Sequence, residues 1–130
     1  MLAYSMVGTT DIARSRKFYD PVLAEMGMAL NFANDFAASW GSATDPAAPR
    51  YLVSAPYDGN AAQPGNGTMT AFVAAKSDAI DRAYKLAMAN GGSCEGEPGP
   101  RPQYSEGFYA AYVRDPDGNK LALVCYDYRT

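Results

Sequence analysis

The stretch YLVSAPYD at 51–58 returns near the far end of the chain as LALVCYD at 121–127, which sets Tyr57 and Asp58 opposite Tyr126 and Asp127. A run from Tyr4 that precedes one helical pattern is matched by a run from Met69 that precedes another. A chain of 130 residues is enough for one domain with a real core and too few for two ordinary ones. Each half alone is too small to bury its own sheet. The two halves are therefore expected as modules of a single domain, about 1–56 and 68–130, joined by a connector at about 57–67 that is dense in Gly, Pro and Asn.

Within the first half, Tyr4–Thr9 reads as a strand, and Asp11 is placed to cap a helix whose apolar face is Ile12, Phe18, Tyr19, Val22, Leu23 and Met26. Gly27 supplies its stop, and Pro21 predicts a kink or a restart capped by Asp20. Three short apolar runs follow, around Ala29–Ala33, Phe36–Gly41 and Arg50–Ala55, each of strand length. In the second half, Thr68–Ala75 is a strand, and Ser77 or Asp78 caps a helix carrying Ile80, Ala83, Tyr84, Ala87 and Met88 on one face. SCEGEPGPRPQYSEG then reads as irregular. The runs Tyr109–Val113 and Leu121–Tyr126 flank Asp115-Pro116-Asp117-Gly118-Asn119, a strong hairpin signal whose aspartates are explained by turn geometry.

Composition excludes more than it identifies. No apolar run approaches the ~20 residues of a membrane span, so no membrane partner is expected. The N-terminus lacks the pattern of a secretory signal, which makes the cytoplasm the expected location. Net charge is −3 and the Lys and Arg residues form no stripe, so nucleic acid is not an expected partner. Cys94 and Cys125 match no CxxC pattern and are expected as buried reduced thiols. Histidine is absent. Its absence removes triads that use a His base and two-His metal sites, leaving carboxylates, Tyr, Lys, Arg and Cys for any chemistry.

The set DIARSRKFYDPVL at 11–23, AF within 68–75, the helix ending ANGG, GEPGPRPQY at 96–104 and FYAAYVRDPDGNKLALVC at 108–125 resembles the vicinal oxygen chelate superfamily, the group of glyoxalase I, bleomycin-resistance proteins and extradiol dioxygenases. The resemblance covers almost the whole chain. It implies an α+β fold in which two tandem βαβββ modules form a curved mixed β-sheet, a half-barrel, with helices on the outside. It also implies a homodimer. Metal-using members take His, Gln and Glu ligands from the inner faces of equivalent strands. Here those places fall on Tyr4, Met69, Ala122 and, near the end of the first module, Val53. None replaces the family donors except, poorly, a Tyr phenolate, so no metal and no cofactor is expected.

Arg101, Tyr104 and Tyr109 match the family pattern after its Pro/Gly-rich loop; they orient an anionic or carbonyl-bearing ligand, or they are a surface Arg and two packing tyrosines. Trp40, the single Trp, is either a stacking wall or core. Met69 and Ala122 are expected to line the pocket, with core packing as the alternative. Two functions follow from the resemblance. One is a metal-independent protein that binds a small apolar or aromatic molecule in the cavity through Tyr4, Trp40, Val53, Met69, Arg101, Tyr104, Tyr109 and Ala122. The other is a lyase, isomerase or dioxygenase-type enzyme on a small carbonyl or aromatic substrate, with or without a divalent metal at displaced ligands.

Overall fold

Asp11 accepts a hydrogen bond from the backbone N–H of Arg14 and so starts helix α1 (Ile12–Glu25), which follows strand β1 (Tyr4–Gly8) in a computed structural model describing residues 1–129. Strands β2 (Met28–Ala33), β3 (Ala37–Ser42) and β4 (Arg50–Ser54) complete the first unit. The second unit repeats the order: β5 (Thr70–Val73), α2 (Ser77–Ala89), β6 (Ser93–Pro100), β7 (Tyr109–Arg114) and β8 (Lys120–Cys125). The strands pair as β1-β4-β3-β2 and β5-β8-β7-β6, with β1 parallel to β4 and β5 parallel to β8. This is the predicted α+β class with two βαβββ modules. The mixed sheet comes as two four-stranded halves, in which β1 and β5 are edges.

One face of each half is covered by helix. Side chains alternate along a strand, so Tyr51 and Val53 of β4, Tyr109 and Val113 of β7, and Leu121 and Leu123 of β8 turn toward the helices. They meet Phe18, Tyr19, Val22 and Leu23 of α1 and Ile80, Ala83 and Ala87 of α2 in one core, and the two helices pack on each other. No helix among the described residues is long and apolar enough to cross a membrane.

One local expectation is narrowed and three need correcting. Helix α1 runs through Pro21 without restarting at Asp20, because a face carrying Phe18, Tyr19, Val22 and Leu23 is held by the core on both sides of the proline. The cap of α2 is Lys76, with no side-chain hydrogen bond, and Asp78 lies in the first turn. The stretch read as irregular begins with β6, an edge strand whose pairing with β7 shifts register between Cys94 and Gly96 and again between Gly96 and Gly99. Bulged edges tolerate Gly and Pro, which is why composition hid the strand. Cys125 is buried but Cys94, on that edge, is exposed.

The turn between β7 and β8 also joins the modules. Asp115 closes the turn in the expected way: its carbonyl accepts from the Gly118 N–H, and its Oδ1 accepts from the N–H groups of Asp117 and Asn119, each at 2.9 Å. Its buried Oδ2 then accepts from Tyr19 Oη of α1 at 2.6 Å, and Tyr51 Oη of β4 lies 2.8 Å from Tyr19 Oη. Since Tyr19 spends its proton on Asp115, Tyr51 donates to Tyr19. Burial, together with Tyr51 and Asp115, pushes the Tyr19 hydroxyl well above the usual tyrosine range, so it remains a donor. Asp117 grips the start of α1, accepting from Thr9 Oγ1 at 2.6 Å, the Thr10 N–H at 3.0 Å and Arg14 Nη2 at 2.8 Å. Asn119 Nδ2 donates to the Gly8 carbonyl at 3.0 Å.

Candidate functional site

The face of the second sheet that turns away from the helices is where the aromatic and cationic side chains gather. Along β7 the residues opposite to Tyr109, Ala111 and Val113 are Ala110 and Tyr112, preceded by Phe108, and along β8 they are Ala122 and Val124. Ala110, Ala122 and Val124 are buried beneath Phe108 and Tyr112, forming a small apolar floor. Over it opens a hollow of about 580 Å³ whose walls are Met69, Glu95, Gly96, Arg101, Tyr104, Phe108, Tyr112 and Lys120.

The loop after β6 is built to bring Arg101 there. Its backbone N–H donates to the Phe108 carbonyl at 2.8 Å, and its Nη2 donates to the Glu97 carbonyl at 2.7 Å, which folds the side chain back over β6. A Cβ on Gly96 would stand 3.0 Å from the Tyr112 ring and 3.4 Å from Arg101 Nη2. Glycine at 96 therefore makes room for the guanidinium to approach the ring, and Arg101 Cζ sits 5.7 Å from the Tyr112 ring centre. Lys120 Nζ lies 5.9 Å from the same centre. Tyr104 and Phe108 meet edge to face at 6.0 Å. The Glu95 carboxylate is engaged by Arg114, whose hydrogen bond and charge hold it below the usual carboxylate range.

Of the sequence-predicted site residues, Met69, Arg101 and Tyr104 come together at this hollow, and Ala122 lies in the floor beneath, paired with Tyr112. Tyr4 lies on the other sheet, exposed and paired with Arg50. Trp40, Val53 and Tyr109 point into the helix-facing core. Trp40 donates its Nε1–H to Asp20 at 2.9 Å and packs against Tyr19, so it is core. Tyr109 donates to Asp81 at 2.6 Å; burial and then that hydrogen bond push its hydroxyl up to about 12. Val53 is one residue out of register with Ala122. Val7 pairs with Val53 and Phe72 with Leu123, so the first-module counterpart of Ala122 is Leu52, and a slip of one residue exchanges the faces of a strand.

Sequence reasoning missed Phe108, Tyr112, Lys120 and Glu95. The signal was the alternation in FYAAYVR, which places Phe108 and Tyr112 on the face opposite Tyr109. A metal does not fit the places that the resemblance and the strand register assign to ligands: Tyr4, Leu52, Met69 and Ala122 offer a single side-chain oxygen among them. Among the described residues no three His, Cys, Asp or Glu side chains group to hold an ion.

The comparisons agree with this architecture. A crystal structure of a glyoxalase/bleomycin resistance protein from Albidiferax ferrireducens is 34% identical, with a TM-score of 0.84 over 96% of this chain and 98% of that one. A glyoxalase-related enzyme from Fulvimarina pelagi shares the fold at 20% identity and a TM-score of 0.74, over 96% of this chain and 87% of its own. A glyoxalase/bleomycin resistance protein/dioxygenase family enzyme from Burkholderia phytofirmans does so at 18% and 0.72, over 95% and 97%. No curated protein matches the chain. The family model matches residues 2–123, nearly everything from the edge of β1 into β8, and with the two βαβββ modules it establishes that the chain belongs to the Glyoxalase/Bleomycin resistance protein/Dioxygenase superfamily.

Proposed function

We propose that this chain is a small-molecule-binding member of the superfamily that holds an apolar or aromatic molecule in the hollow of the second sheet without a metal. The observation that carries the reading is the juxtaposition of Tyr104, Phe108 and Tyr112 around one hollow, with Phe108 and Tyr112 packed on a buried patch that includes Ala122, where the family would place a carboxylate ligand. Aromatic walls with few polar groups suit a ligand that gives up apolar surface to the protein. A thermal-shift screen over metabolites and antibiotics tests it. Ligands that raise the melting temperature are expected to lose that effect with Arg101→Ala and Tyr104→Phe, while both variants stay folded. Metal content after dialysis separates this reading from a metal-dependent enzyme, and a stoichiometric metal in the wild type overturns it.

The same reading includes a homodimer. The edges β1 and β5 carry exposed apolar side chains, Tyr4 and Met6 on one and Val73 on the other, with Met69 just before it. Sheet edges and apolar surface of this kind call for a cover, which a second copy laid along them would supply. Light scattering at micromolar concentration should give the mass of two chains.

A further inference from the structure

The chain is acidic as a whole, yet the hollow is not. Arg101 and Lys120 both bring their cationic heads within 6 Å of the Tyr112 ring centre. Among the described residues neither forms an ion pair with a carboxylate: Arg101 donates only to the backbone carbonyls of Glu97 and Pro100. The one acid in the wall, Glu95, is bound to Arg114. A second hollow, of about 600 Å³, continues past Lys120 and Met69 and brings in Arg114 and the backbone of the loop from Pro64 to Thr68. Lys120 therefore stands where an aromatic recess opens into a polar one.

We propose that the molecule held here is a planar aromatic acid, its ring against Tyr104, Phe108 and Tyr112 and its carboxylate taken by Arg101 and Lys120. This rests on the reading of the hollow as the binding site and adds the sign of the ligand's charge. The guanidinium fork suits a carboxylate, and hydrogen bonds to a charged group are stronger than those to its neutral isostere. Net charge alone would favour a cationic ligand, but two cations beside the recess oppose one at contact range, where local charges outweigh the distant field.

The experiment titrates the full chain calorimetrically with three probes of one shape at neutral pH: naphthoate, naphthamide and naphthylmethylamine. Naphthoate should bind at least about tenfold more tightly than the amide, with the amine weakest, and added salt should weaken the acid but not the amide. Arg101→Met with Lys120→Met should bring acid and amide together, with the far-UV circular dichroism and melting temperature of the unliganded double variant as the control for folding. Equal binding of acid and amide to the wild type, preference for the amine, or a double variant that keeps the acid preference overturns the charge assignment and leaves the hollow as a binding site. Binding of none of the three overturns both.

Discussion

The two modules contain the same turn used in two ways. Asp45-Pro46 links β3 to β4, and Asp115-Pro116 links β7 to β8. Each aspartate accepts a hydrogen bond from the N–H two residues on, and each carbonyl accepts from the N–H three residues on. The first turn stays at the surface. The second has Asp115 and Asn119 buried and reaches the other module through Asp115, Asp117 and Asn119, where the first has Asp45, Ala47 and Pro49. Ala47 offers a methyl group where Asp117 offers two acceptors, and Pro49 has neither the amide side chain nor the N–H of Asn119. A turn signal thus fixes the local bend alone; whether the bend also joins distant parts depends on the residues at its third and fifth positions and on what the second oxygen of its first aspartate meets.

The largest test of this contrast is Asp115→Ala against Asp45→Ala in urea unfolding. Removing Asp115 leaves the Tyr19 hydroxyl, the Asn119 amide and two N–H groups short of an acceptor in the interior, and should cost roughly 3–5 kcal/mol. Asp45→Ala, at an exposed turn, should cost under about 0.5 kcal/mol. Similar losses at both turns would erase the distinction.

Next in size is Asp117→Asn, expected to cost about 2 kcal/mol through the charge-assisted bonds from Thr9, Thr10 and Arg14. Burial raises the Asp117 carboxyl, but those hydrogen bonds and the Arg14 charge outweigh it and hold the group below the usual carboxylate range. A folded value below the unfolded one means that the stabilisation is fully present above about pH 4, the unfolded carboxylate value, and is lost as pH falls through the lower folded value. The melting temperature of the wild type should therefore drop on acidification below about pH 4 more steeply than that of Asp117→Asn. Parallel curves would remove Asp117 from the link.

The smallest expected effect is Ala47→Asp, which gives the first turn the side chain of the second. With an exposed turn and no helix start beside it, stability should move by less than about 0.5 kcal/mol. A gain above about 1 kcal/mol would show that the first turn also has a partner within reach.

The fold was legible because its signals are periodic: two helices with clear apolar faces, two matching module ends and a hairpin that names its own turn. The link between modules was not, since an aspartate in a DPDG turn looks the same whether its second oxygen meets water or Tyr19. The hollow was legible only in part. The Pro/Gly-rich segment led to Arg101 and Tyr104, which do share a hollow. For Trp40 and Tyr109 the choice between pocket and core stayed open, and Val53 was set on the pocket face, because alternation divides a strand into two faces without saying which one the helix covers; all three lie in the core. In FYAAYVR both faces carry aromatic residues, and only the packing of α2 decides that Tyr109 goes inward and Tyr112 outward.

The link through Asp117 also bears on how the chain is made. Thr9, Thr10 and Arg14 leave the ribosome early, and the carboxylate that holds them follows about a hundred positions later, at a synthesis rate of ~5–20 residues per second. For those seconds α1 has its Asp11 cap but no anchor, and Tyr19 has an apolar neighbourhood but no acid to donate to. The first module is thus born with these polar contacts unanswered and is completed only when the turn between β7 and β8 emerges, so a nascent chain stalled before Asp115 should be open to proteases at α1.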